Sequence, residues 1–83
     1  MEDNIMTNLE KYKEAFIKAL EVNEEQLKNL KYQDIPAWDS IGHMTLIATI
    51  EDAFDIMMDT EDIIDFSSYE KGIEILKKYD VEF

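Results

Sequence analysis

The stretch PAWDSIGHMTLIATIEDAF, Pro36 to Phe54, decides how this chain folds. Pro36 closes a long irregular segment, since proline restricts the residue before it and lacks the N–H a regular element needs. Asp39 puts a short side-chain acceptor directly before an apolar-periodic run, which is the chemistry of a helix N-cap. The spacing predicts a helix from Ser40 to about Phe54. At about 100° per residue it has two faces. His43, Leu46, Ile47, Ile50 and Phe54 share one, the expected core face. Ile41, Thr45, Ala48, Asp52 and Asp55 share the other, with Met44 and Glu51 on its flanks. This outer face starts apolar beside Ser40 and ends acidic. A merely solvated face would mix lysine with glutamate at i,i+4. This one has no lysine, and the pattern is that of a docking surface.

Outward from this helix the chain continues to read as helical. A first helix is predicted from about Asn4–Thr7 to Leu20, with Leu9, Tyr12, Phe16 and Leu20 at helical spacing. Thr7-x-x-Glu10 has the spacing of a capping box, and a start nearer Asp3 or Asn4 fits equally well. Residues 21–38 lack a sustained period. Val22, Leu27, Leu30 and Ile35 are spaced as anchors of a long loop, with a short helical turn at Glu24–Leu27. After Phe54 a short helix is expected, with Thr60 as cap and Glu61, Asp62, Ile63, Ile64 and Asp65 in its turns. The last helix runs from Ser67 or Ser68 to about Tyr79. Ser67-x-x-Glu70 would be its capping box, Ile73 and Leu76 point inward, and Lys77 and Lys78 complement its C-terminal end. With two glycines and no hairpin dipeptides or alternating runs, a sheet is not expected. The expectation is an all-α fold, a small four-helix bundle of three main helices and one short one, with a long loop between helices 1 and 2.

At 83 residues and 46% apolar content, the chain reads as a single globular domain, residues 1–83. The absence of cysteine excludes disulfides, thiolate metal sites and thiol chemistry from the chain itself. Nothing resembles a signal peptide or reaches membrane-spanning length, so a soluble, cytoplasmic protein without membrane insertion is expected. A monomer is expected because the core faces of all helices can be satisfied inside one bundle. The net charge of −12 is unevenly spread. Residues 32–70 hold ten acids and no lysine or arginine, whereas the two flanking segments are nearly balanced. Nucleic acid is excluded as a partner, because phosphates require the opposite sign. Basic protein surfaces, met through electrostatic steering, are the expected partners.

The sequence offers no catalytic constellation. His43 follows Ser40 by three residues, about 300° around the helix, but it starts the apolar face and reads as a boundary histidine. The carboxylates isolate no acid/base pair. Asp55, Asp59, Glu61 and Asp62 lack the alternation, central glycine and terminal glutamate of a calcium loop, so no metal site is expected. No glycine-rich phosphate loop is present. The expectation is a protein that is not an enzyme. Its serine stands at a helix start, where free N–H groups and the helix dipole favour an attached phosphate. Such a serine suits modification by another enzyme.

The segment WDSIGHMTLIATIEDAFDI resembles the Asp-Ser-Leu segment of the acyl carrier proteins, with Ile41 in place of the usual leucine. The likeness extends over nearly the whole chain, through the Leu27 and Leu30 anchors to SSYEKGIEIL. It implies that Ser40 carries 4′-phosphopantetheine, transferred from coenzyme A by a phosphopantetheinyl transferase. The arm would hold acyl cargo as a thioester and deliver it to partner enzymes. That accounts for a carrier without cysteine, since the sulfur arrives with the cofactor. By the same resemblance, Ile41, Ala48, Glu51, Asp52 and Met58 match partner-docking positions, and Asp59, Glu61 and Asp62 fall in the matching acidic region. The cap and outer face of the Ser40 helix add Asp39, Met44, Thr45 and Asp55 to the expected docking surface. The partners implied are acyl- or aminoacyl-activating and transfer enzymes with basic docking surfaces. Trp38, Gly42, Thr45 and Met57 depart from the family pattern, thinning the acids near Ser40 and adding bulk beside it. These departures point to a specialised pathway instead of general fatty acid synthesis. An aminoacyl or D-alanyl-type carrier, and an acidic helical interaction module without an arm, are the alternatives.

Overall fold

In the computed structural model, which describes residues 6–83, Thr7 opens the first helix as its capping box demands. The Glu10 N–H donates to Thr7 Oγ1 at 3.1 Å, and the Thr7 N–H donates to Glu10 Oε1 at 2.9 Å. The alternative start near Asp3 or Asn4 lies outside the described residues. Among the described residues five helices follow in order: α1 (Asn8–Leu20), α2 (Glu24–Leu27), α3 (Ser40–Phe54), α4 (Thr60–Asp65) and α5 (Tyr69–Lys77). Among the described residues there is no strand, and one isolated antiparallel bridge joins Lys31 to Ser68. The short turn expected at Glu24–Leu27 is α2, and a Lys13–Glu24 ion pair at 3.0 Å ties it to α1.

The two long helices, α1 and α3, pack along each other and carry the centre of the core. Tyr12, Ala15, Phe16 and Leu20 come from α1, and Leu46, Ile47 and Ile50 from α3. Both helices end on a residue in left-handed conformation, Glu21 and Asp55, each with φ of 56°. Leu9 departs from expectation: it is exposed, since the buried stripe of α1 begins a turn later at Tyr12. Val22, Leu27 and Leu30 are buried loop anchors as their spacing suggests, with Ile35 half-buried. Trp38 is a larger correction. Instead of adding bulk beside Ser40, it is fully buried, edge-on to Phe16 at 5.4 Å. The loop turns back on itself to put it there, with the Gln33 N–H donating to the Trp38 carbonyl at 3.0 Å.

The later helix starts shift by one residue, each for a visible reason. Asp59, not Thr60, is the N-cap of α4, and its N–H donates to Tyr79 Oη at 2.8 Å. Ser68, not Ser67, caps α5, accepting from the Lys71 N–H at 2.9 Å. The Ser67 capping box cannot form, because this segment is held extended by the bridge: Ser67 C=O accepts from Tyr32 N–H and Leu30 C=O from Tyr69 N–H, both at 2.9 Å. The core residues of α5 are Ile75 and Leu76, while Ile73 is half-buried. The helix ends at Lys77, two residues before Tyr79.

Gly72 marks a close approach of α5 to α1 and the chain before α5. A Cβ there would collide with Tyr12 Oη and the Phe66 ring. The Tyr12 hydroxyl donates to the Tyr69 carbonyl at 2.6 Å, and burial first, then Tyr69, pushes its pKa far above the ordinary phenol range.

Candidate functional site

Ser40 is the first residue of α3 and is exposed. Asp39 caps the helix as expected: its Oδ1 accepts from Gly42 N–H at 2.8 Å and its carbonyl from His43 N–H at 2.8 Å. The Asp39 carboxylate therefore already occupies one of the first-turn donors. Gly42 is glycine because the chain doubles back over it. A Cβ there would land on the Ala37 carbonyl, so no acidic side chain fits at this position. The Ser40 hydroxyl lies 3.5 Å from Tyr32 Oη, a distance at the outer limit of hydrogen bonding.

Beside Ser40 lies a cleft of about 380 Å³, lined by Tyr32, Ser40, His43, Met44, Ile63, Ile64, Phe66 and Ser67. The loop before α3 supplies Tyr32, α3 supplies Ser40, His43 and Met44, and α4 supplies Ile63 and Ile64. His43 is half-buried at the core boundary, as read from the sequence. Its Nδ1 lies 2.9 Å from Trp38 Nε1, and its Nε2 lies 2.8 Å from the Ile63 carbonyl. Both ring nitrogens are thus engaged away from Ser40, which leaves the serine without a general base at hand.

The outer face of α3 is where the sequence puts it. Ile41, Met44, Thr45, Ala48, Asp52 and Asp55 are all exposed, with Ile41 at 78% and Met44 at 57%. Ile64, 72% exposed on α4, extends this apolar rim across the cleft. Thr45 and Thr49 turn their hydroxyls back to the carbonyls four residues earlier, at 3.2 and 2.8 Å, and so present methyl groups on this face. Asp59 and Glu61 are exposed at the start of α4, where carboxylates suit the dipole.

Two residues assigned to the docking region do not lie on it. Met58 is 7% exposed and belongs to the core, and its N–H donates to Glu51 Oε2 at 2.9 Å. Glu51 is thereby engaged in holding that turn. Asp62 is likewise buried, turned toward the C-terminal end of α5. Its carboxylate accepts from Lys78 Nζ and from Tyr79 Oη, each at 2.6 Å. These hydrogen bonds, Lys78 first, hold the Asp62 carboxyl below the usual carboxylate range. The same contact raises Lys78 and Tyr79 above their ordinary values.

Sequence reasoning missed Tyr32, Ile64, Phe66 and Ser67 as cleft residues. Ile64 carries a legible signal, an apolar residue on the solvent side of an acidic helix. The other three are brought to Ser40 by the Lys31–Ser68 bridge, which no local pattern announces. Among the described residues no group of three or more His, Asp or Glu side chains could hold a metal ion, and no helix is long and apolar enough to cross a membrane. The chain matches no protein-family model, no curated protein and no solved structure.

Proposed function

We propose that the protein is a carrier that holds acyl or aminoacyl intermediates on a 4′-phosphopantetheine arm attached to Ser40. One observation carries the reading: an exposed serine at a helix N-terminus stands at the mouth of an apolar-walled cleft, with no catalytic partner to make it react. In the attachment step a bond forms from Ser40 Oγ to the phosphorus that bears the pantetheine. The bond from that phosphorus to the nucleotide of coenzyme A breaks, and the hydroxyl proton passes to a base of the transferase. The arm supplies the thiol that the chain lacks. On this reading α1, α3, α4 and α5 are the four helices of the bundle, and α2 is an interruption of the long loop.

The fit of the arm rests on three features. Ser40 has room above it, the dipole of α3 favours an attached phosphate, and Met44, Ile63, Ile64 and Phe66 line an apolar recess within reach of cargo. The rim of Ile41, Met44 and Ile64, followed by Asp52 and Asp55, would receive a partner enzyme with an apolar contact framed by basic residues. The transferase, and the enzymes that load and unload the arm, are the partners of this surface. The carrier works as a cytoplasmic monomer.

The test is intact-mass measurement after incubation with coenzyme A, Mg²⁺ and broad-specificity phosphopantetheinyl transferases. The protein gains one phosphopantetheine and Ser40→Ala gains none. If the wild-type chain stays unmodified by several such enzymes, the reading fails, and an acidic interaction module without an arm takes its place.

A further inference from the structure

The wall of the Ser40 cleft formed by α4 depends on one side chain. An indole N–H can only donate, so His43 Nδ1, 2.9 Å from Trp38 Nε1, must accept with a free lone pair. The ring is then neutral with its proton on Nε2, where it donates to the Ile63 carbonyl at 2.8 Å. That carbonyl's other partner, the Phe66 N–H, is 3.4 Å away. His43 therefore makes the short bond that ties the end of α4 to α3. On its other side α4 is anchored through Asp62 to Lys78 and Tyr79.

We propose that His43 is a positioning residue that sets the width of the Ser40 cleft, and that it acts as a proton-sensitive latch. Adding a proton to Nδ1 brings two N–H groups face to face. One must move, and Trp38 cannot, being fully buried and edge-on to both Phe16 and Tyr32. His43 turns instead and takes its bond to Ile63 with it, which frees Ile63 and Ile64 to swing about the Asp62 anchor.

Among the described residues no carboxylate lies within hydrogen-bonding distance of the His43 ring, whose bonds go to Trp38 and Ile63. On the loop, Tyr32 meets the ring edge-on at 5.5 Å. At the N-cap of α3 the Asp39 carboxylate is committed to Gly42 N–H. On α4 Asp62 is committed to Lys78 and Tyr79, and Asp65 is exposed. From the segment before α5 come Phe66, in ring contact at 6.1 Å, and Ser67, which is not charged.

Trp38 is the sole tryptophan, so its signals report on this contact directly. The experiment follows the indole N–H resonance, the Met44 and Ile64 methyl resonances and tryptophan fluorescence of the unmodified protein. The pH runs from about 8 to about 5, the range in which histidine changes charge. Indole and methyl signals should shift together with one midpoint, with fluorescence quenched by the neighbouring imidazolium, while far-UV circular dichroism stays constant. His43→Gln can place its amide nitrogen near the Nε2 position to donate to Ile63 but leaves no atom at the Nδ1 position to accept from the indole, so its indole signal should rest at the released position at every pH. His43→Asn can hold its amide oxygen near the Nδ1 position but is too short to donate from the Nε2 position to Ile63, so its indole should be insensitive to pH while the Ile64 methyl sits at the released position. An indole signal that does not move in the wild type overturns the latch, and so does an acid transition retained in His43→Gln. Loss of helix with the same midpoint also overturns it, because the change is then global unfolding. Should a variant fail to fold, the wild-type titration decides alone. The latch belongs to the unmodified chain, so its failure and the failure of the carrier reading are separate results.

Discussion

Replacing Gly72 by alanine sets helix propensity against packing, and the two predict opposite signs. Within a helix such as α5, alanine is favoured over glycine by about 1 kcal/mol, partly because glycine loses more freedom on folding. The structure reverses this. The new methyl would overlap Tyr12 Oη and Phe66 Cζ, and lie 2.7 Å from Phe66 Cε1. Neither ring has slack. Tyr12 is 0% exposed and packed against Phe16 and Tyr69, and Phe66 is 1% exposed. Forcing them apart costs about 1–3 kcal/mol as overpacking. Pulling the Tyr12 hydroxyl from the Tyr69 carbonyl leaves a buried phenol unsatisfied, at about 1–3 kcal/mol. After the propensity gain the net loss is about 3 kcal/mol, which for a domain of this size lowers Tm by about 12–24 °C. Thermal melts followed by circular dichroism measure it. In the double variant Tyr12→Phe/Gly72→Ala the colliding oxygen is gone, so the combined loss should be smaller than the sum of the two single losses. A Gly72→Ala protein with unchanged or raised Tm would refute the close approach of α5 to Tyr12 and Phe66.

Two further outcomes can be measured. Because the Asp62 carboxyl is held below its ordinary range in the fold, its stabilisation is complete above the unfolded carboxylate value of about 4 and is lost as pH falls through the lower folded value. Asp62→Asn should therefore melt below wild type at neutral pH and lose less Tm on acidification to about pH 3; parallel pH curves would mean that the Lys78 and Tyr79 contacts carry no linkage. If the outer face of α3 docks the transferase, reversing Asp52 and Asp55 to lysine should slow modification of Ser40 and flatten its salt dependence, whereas Ile41→Ala should slow it at unchanged salt dependence. The control is Lys71→Glu, exposed on α5 and outside the groove that Asp52 shares with Lys11 and Lys18, and a control as damaging as the reversal would reduce the effect to net charge.

The parts of the fold that were legible are those fixed by neighbours in the chain. The capping box at Thr7 and Glu10, the Asp39 cap and the extent of α3 follow from local hydrogen bonding and a period of 3.6 residues. The parts that were not legible depend on residues far apart in sequence. Trp38 lies in the core because the loop folds back at Gln33, and α5 starts at Tyr69 because the Lys31–Ser68 bridge keeps the chain extended until then. Met58 and Asp62 read as surface residues, since nothing local reveals their contacts with Glu51, Lys78 and Tyr79. This distinction also sorts the acids of the strongly negative segment. Asp39, Glu51 and Asp62 each hold a backbone or side-chain partner, so the fold alone accounts for them. Asp52 and Asp55 are exposed at the C-terminal end of α3, where negative charge opposes the helix dipole. Within the fold, Lys11 and Lys18 of α1 line the same groove as Asp52. On the reading proposed above a partner of opposite charge would meet them, and these two residues, Asp52 and Asp55, with the apolar rim of Ile41, Met44 and Ile64, are where a docking surface can be tested without disturbing the core.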